Sequence, residues 1–172
     1  MSIKRYTATS DNTLTNAYEE NLTTRATGSN LGACDIMEVF SIYGQVTSSN
    51  PTKSTEISRA IIRFPISRIS SDRTAGNIPA SGSVNFVLKL YHAETDQTTP
   101  GDAVYKILPV AQSWEEGYGV DIHKYEDISS NTTGSNWIYA SFNPATKWNN
   151  QGGSVISASA ARSPQYAAKL AN

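Results

Sequence analysis

The chain has a single cysteine, Cys34, among its 172 residues. A lone cysteine excludes an internal disulfide and a cysteine-built metal site, and its usual setting is that of a small buried apolar side chain. Charge is sparse as well: Asp, Glu, Lys and Arg make up 17% of the residues and the formal net charge is −1. With no basic face to meet a phosphate backbone, nucleic acid is not an expected partner. No apolar run approaches the roughly 20 residues that cross a bilayer, so no membrane is expected either. The opening Met1-Ser-Ile-Lys-Arg-Tyr-Thr carries no apolar core of a secretory leader. Two histidines and scattered carboxylates give no zinc or EF-hand spacing. The sequence therefore predicts no catalytic residue, no cofactor and no metal ligand set.

What remains is a neutral, hydroxyl-rich and amide-rich chain with nine tyrosines and three tryptophans. That composition favours strands over helices, and the length suits one domain with a real core. A polar, charge-poor surface fits an exterior setting, yet no exit signal is visible. A protein released by lysis as part of a virus particle reconciles the two, so the expected location is the virion. Asn21-Leu-Thr and Asn131-Thr-Thr match the glycosylation pattern, which means little without secretion.

The chain is organised around residues 109–119, 135–141 and 146–153, which together hold Trp114, Trp137 and Trp148. Each tryptophan lies beside Asn, Glu or Gly in a turn-like context, as expected where loops close the core of a β-sandwich. Taken in order, residues 3–9 read as an opening strand and Ser10-Asp-Asn as a turn, since Asp and Asn side chains bond local backbone. Residues 19–32 read as irregular. Residues 35–44 read as an internal strand because both of its faces are largely apolar. Residues 57–65 form the next strand, with Ile57, Ile61, Arg59 and Arg63 on one face, ended by Pro65, which has no ladder donor. A turn of helix is expected between Ser67 and Arg73. Residues 83–93 give the most regular alternation, with Val84, Phe86, Leu88 and Leu90 expected to face the core. Residues 103–112 should pair with it as an antiparallel neighbour. Shorter strands follow at residues 137–142 and 155–157. The sum is an all-β, antiparallel β-sandwich of jelly-roll type over residues 1–156, followed by an Ala- and Ser-rich tail or linker at 157–172, broken by Pro164.

Several of these stretches, in their order and spacing, carry a resemblance. They are Tyr6-Thr-Ala-Thr-Ser-Asp, Asn30-Leu-Gly, Arg59-Ala-Ile-Ile-Arg-Phe-Pro-Ile-Ser, residues 84–91, Ser113-Trp-Glu-Glu-Gly, Asn136-Trp137, and Trp148 followed by Gly152-Gly153. Over residues 6–155 the chain resembles the disaggregatase-related, or DNRLRE, β-sandwich family, which is similar to a family of carbohydrate-binding modules. The resemblance implies a jelly-roll module of polysaccharide-related extracellular proteins, or of tail and other exterior proteins of phages.

Two constellations invite a site reading. Glu115, Glu116, Asp121, His123, Glu126 and Asp127 surround one imidazole with carboxylates. Such a group serves as a calcium site, as a general acid and base pair, or as a loop whose carboxylates cap backbone N–H groups. The three tryptophans offer an aromatic platform for sugar C–H faces, with Trp148, Asn149, Asn150 and Trp114 as the expected glycan-binding residues and Trp148 as the most exposed ring. The alternative is that all three indoles anchor the core and its loops. Together the residues favour a non-enzymatic structural protein on the exterior of a bacteriophage particle, at the head, neck or tail. Its expected partners are other virion proteins and copies of itself. The alternative is a carbohydrate-binding adhesion module that recognises a host surface polysaccharide.

Overall fold

The computed structural model describes residues 3–43, 55–94, 105–125 and 134–156. Its regular elements are mostly strands: β1 (Ser10–Thr15), β2 (Ser41–Tyr43), β3 (Thr55–Arg63), β4 (Tyr139–Phe142) and β5 (Ala145–Lys147), with one short helix, α1 (Ile66–Thr74). All the strand pairings are antiparallel, in keeping with an all-β chain. β3 is the middle strand of a sheet ordered β1-β3-β2. Its register with β1 sets Ser10 opposite Arg63, Asn12 opposite Ile61 and Leu14 opposite Arg59. β4 and β5 form a separate hairpin with an irregular register between Tyr139 and Ser141.

Directly opposed residues share a face, so that register places Asn12, Leu14, Arg59, Ile61 and Arg63 on one side of the sheet. The core lies there: Leu14, Ile61, Trp114, Trp137, Ala140 and Trp148 are buried together, with Ile57 and Val110 packed against them. Each aliphatic side chain fully withdrawn from water contributes about 1.5–3 kcal/mol. The grouping of Ile57, Arg59, Ile61 and Arg63 read from the sequence is thus the face that meets the core. The two arginines roof it. The Arg59 guanidinium lies 5.2 Å from the centre of the Trp137 ring and that of Arg63 4.6 Å from Trp114, close enough for cation–π attraction. Both also find carbonyls: Arg59 Nη1 donates to Gly152 O at 2.7 Å, and Arg63 Nη2 donates to Trp114 O.

Five expectations need correction. Residues 3–9 form no strand; the first strand begins at Ser10. Ser10, Asp11 and Asn12 form the start of β1, not a turn, because their backbone pairs with residues 61–63 and the Asn12 side chain is buried. Residues 35–44 do not form an internal strand. Only Ser41–Tyr43 pairs, at the edge of the sheet, and Ile36, Val39 and Ile42 are exposed. The alternating segment at 83–93 does not face the core: Phe86, Val87, Leu88, Leu90 and Tyr91 are exposed, and no strand is formed there. The volume beside β3 is filled instead by the three indoles. Nor does the following segment pair with residues 84–91, since Val110 bridges Val155 and Ile156 N donates to Pro109 O at 2.9 Å. Residues 103 and 104, and the tail at 157–172, lie outside the described residues.

α1 begins directly after Pro65 and buries none of its side chains. Its attachment is polar. Lys4 Nζ, Tyr6 Oη and Asn77 Nδ2 donate to the Asp72 carboxylate at 2.9, 2.8 and 3.0 Å. These donors, Lys4 first and then Asn77 and Tyr6, hold the Asp72 carboxyl down from its ordinary 3.8 to about 2. A depressed folded-state value means that the clamp contributes fully above about pH 4 and is lost as the pH falls towards 2. Over that interval the melting temperature of the wild type should fall more steeply than that of Asp72→Asn. Parallel profiles would show that the clamp adds nothing.

Gly152 is fixed by its neighbours. Its φ is +77°, and a Cβ there would sit 2.6 Å from Trp137 Cη2. Gly152→Ala should therefore strain the backbone and displace the indole, costing about 2–4 kcal/mol. An unchanged denaturant midpoint would contradict this packing.

Candidate functional site

Three asparagines organise the end of the core near the tryptophans. Asn30, fully buried, uses every hydrogen-bonding position of its side chain. Its Nδ2 donates to Glu116 O at 2.8 Å and to Ser135 O at 2.7 Å, while its Oδ1 accepts from Gly119 N at 2.7 Å and from Gly32 N at 3.3 Å. Asn12 reaches the same place from β1. Its Nδ2 donates to Ser135 O and Ser135 Oγ at 2.8 and 2.9 Å, and its Oδ1 accepts from Leu31 N at 3.0 Å. Asn136 Oδ1 accepts from Ile138 N and Tyr139 N at 2.9 and 2.7 Å, which turns the chain into β4, and its carbonyl receives Trp148 Nε1 at 2.8 Å. Gly117 is pressed against this knot: a Cβ there would lie 2.5 Å from Asn30 Oδ1.

Hydrophobic periodicity gives no weight to these residues. The signal that would have found them is a repeated tripeptide, Gly28-Ser29-Asn30 and Gly134-Ser135-Asn136, both copies of which supply a buried Ser and a buried Asn.

The same geometry decides how the acidic constellation is used. Glu115 Oε2 accepts from Phe142 N at 2.8 Å, Glu116 Oε1 from Asp11 N at 2.8 Å, and Asp121 Oδ2 from Asn30 N at 3.1 Å. The three carboxylates point to three separate backbone donors. Glu115 and Glu116 tie a loop to β4 and β1 and Asp121 ties one loop to another, and among the described residues no three His, Cys, Asp or Glu side chains converge as a metal site would require. Burial, and then the Glu116 carboxylate, push the Asp11 carboxyl up. His123 is exposed, and Glu126 and Asp127 lie outside the described residues. Nearby, the Tyr125 hydroxyl donates to Glu38 Oε2 at 2.6 Å. Burial first, then that hydrogen bond, raise the phenol further above its ordinary range. Cys34 is half-buried, and burial pushes its thiol up, away from the reactive thiolate.

The expected aromatic platform is not formed. Trp148 is only 5% exposed, and Trp114 and Trp137 are buried with it. The reason is that each indole fills the space above β3 while its polar parts or its neighbours meet backbone, so no ring face is left for a sugar. Asn149 and Asn150 are exposed beside it; their N–H groups donate to Gln112 Oε1 and Ser154 Oγ at 3.1 Å each. A shallow groove of about 500 Å³ runs along Arg63, Val110, Ala111, Gln112, Ser113 and Trp114. Its two largest polar side chains are already engaged: Arg63 with Trp114 O, and Gln112 with Lys147 O and Asn149 N.

The surface feature that stands apart is apolar. In residues 84–94, which form no helix or strand, Phe86, Val87, Leu88, Leu90 and Tyr91 are exposed, and no backbone–backbone hydrogen bond joins them to another described residue. Among the described residues no helix is long and apolar enough to cross a membrane. No family model, no curated protein and no solved structure matches this chain.

Asn30→Asp tests the knot with almost no change of shape. It replaces an amide donor by a carboxylate oxygen facing the Glu116 and Ser135 carbonyls, and buries a charge. The expected loss is about 3 kcal/mol or more of unfolding free energy. A midpoint of chemical denaturation equal to that of the wild type would show that these bonds hold nothing.

Proposed function

We propose that this chain is a non-enzymatic structural protein of jelly-roll β-sandwich type that assembles on the exterior of a bacteriophage particle, as a head-decoration, neck or tail component. The observation that carries this reading is the exposed apolar strip at residues 84–91. Water-exposed Phe, Val, Leu and Tyr in one continuous segment are what a protein–protein contact buries. The use of Glu115, Glu116 and Asp121 as backbone caps supports a structural role, since it commits those carboxylates to holding loops in place. The particle setting rests on the neutral, amide-rich composition and on the resemblance to the DNRLRE family. The adhesion-module alternative keeps the exposed side chains of Asn149 and Asn150 but has lost its stacking rings to the core.

On this reading the isolated protein self-associates, and light scattering behind size exclusion should give a mass that rises with concentration to a defined oligomer. The double substitution Val87→Lys with Tyr91→Lys, at two of the most exposed apolar positions, should return it to a monomer with an unchanged melting temperature. A wild-type chain that stays monomeric at every concentration, or a double variant that still assembles, would overturn the reading.

A further inference from the structure

We infer that Asp72 is a two-position latch: its carboxylate here holds a strap formed by residues 3–8, and Arg68 takes that carboxylate when the strap lets go. The strap is tied at one point. Among the described residues its hydrogen bonds are those of Lys4 Nζ to Asp72 Oδ1 at 2.9 Å and of Tyr6 Oη to Asp72 Oδ2 at 2.8 Å, and no others. Its backbone makes none before Thr9, whose N–H donates to Arg63 O at 2.8 Å. Ile3 is exposed, and Tyr6 and Ala8 are half-buried. A segment with so few ties opens locally, apart from the body of the protein.

α1 keeps its place without the strap. β3 leads into it through Phe64 and Pro65, and just beyond it Ile78 is buried while Asn77 N donates to Asp72 O at 2.9 Å. Asn77 Nδ2, from the same end of the helix, donates to Asp72 Oδ1 at 3.0 Å and stays with the carboxylate. Lys4 and Tyr6 leave with the strap, and the charge they covered then needs another partner.

Arg68 is placed to be that partner. It lies one turn before Asp72 on α1, and residues four apart on a helix face each other with about 5–6 Å between Cβ atoms. Arg68 is exposed and, among the described residues, makes no hydrogen bond or ion pair. Its charge already reaches the latch: burial, and then the bond to Asp72, push the Tyr6 phenol up against the opposing charges of Arg68 and Arg73. Arg73 is next to Asp72 in sequence, and adjacent residues on a helix point apart. A guanidinium offers a carboxylate two parallel donors, so the exchange replaces two bonds from the strap by two from α1. Held and released states then differ by one change of partner, as a two-state element requires.

Trypsin reads the latch, because Lys4 and Tyr6 flank Arg5 and a protease cannot draw the strap into its cleft until both let go of Asp72. Cleavage after Arg5 therefore follows the released population. Asp72→Ala should lose residues 1–5 about tenfold faster than the wild type, the factor that two bonds at the edge of water supply together. The near-ultraviolet circular dichroism of the buried tryptophans should not change. Lys4→Met with Tyr6→Phe, which leaves α1 untouched, should match it. Arg68→Gln should slow cleavage after Arg5 in the wild-type background and have no effect on it in Asp72→Ala. Wild-type rates in Asp72→Ala and in the double variant, or faster cleavage that comes with loss of the tryptophan signal, would overturn the latch. A wild-type rate in Arg68→Gln would overturn the exchange of partners.

Discussion

The structure depends on a carboxamide with no water around it. Asn30 is fully buried, and both of its polar atoms are satisfied by backbone, from two distant parts of the chain and from Gly32 beside it. A buried amide left unpaired costs several kcal/mol, whereas one with all its partners is neutral to favourable. The difference makes the site nearly all-or-none: residues 30–32, 116–119 and 135 fit around this side chain together or not at all. Asn12 and Asn136 extend the same logic to β1 and to the turn into β4. Loops with little regular hydrogen bonding of their own are thereby given fixed positions, which side-chain amides can do because each offers two donors and an acceptor with two lone pairs.

Above this knot the apolar core is small in count and large in volume. Three indoles do the work that rows of aliphatic side chains do in a sandwich of regular strands. Indoles are broad and flat, so they need a lid. Arg59 and Arg63 supply it from β3, each covering a ring and donating to a carbonyl beside it. The arginine stems bury apolar length while the heads stay at the boundary with water. The tryptophans, the arginines and the loop carbonyls form one layered unit, and position 152 admits only glycine because nothing larger than hydrogen fits against the Trp137 ring.

The parts of this arrangement that follow a period were legible in the sequence. β3 was, with its Ile and Arg face and its end before Pro65, because an alternating run of β-branched residues fixes both strand and face. The helical turn after Pro65 and the strand at Tyr139–Phe142 were also legible. β1 was not. Asp11 and Asn12 are turn residues by local preference, and what overrides that preference is a partner for Asn12 far along the chain. The segment at 84–91 failed for a different reason. Alternation states which residues share a face; it does not state what that face meets. Among the candidate site residues, Trp148 and Trp114 stood out by type, yet type alone cannot separate a ring that waits for a ligand from one that closes a core. The buried Asn network was invisible to any rule that counts apolar residues.

The span of these contacts bears on how the chain is made. Asn12 is bonded to Ser135, 123 residues further on, and Asn30 to the same carbonyl, 105 residues on. Asn12 and Asn30 therefore lack their shared partner until residue 135 has been made, although β1 can pair with β3 long before. At about 5–20 residues per second, that is a wait of several seconds during which Leu14 and Ile61 lack Trp137 and Trp148. The rate of folding is governed by closing very long loops. A chain cut short anywhere before residue 135 carries the sheet but lacks the residue that both asparagines grip.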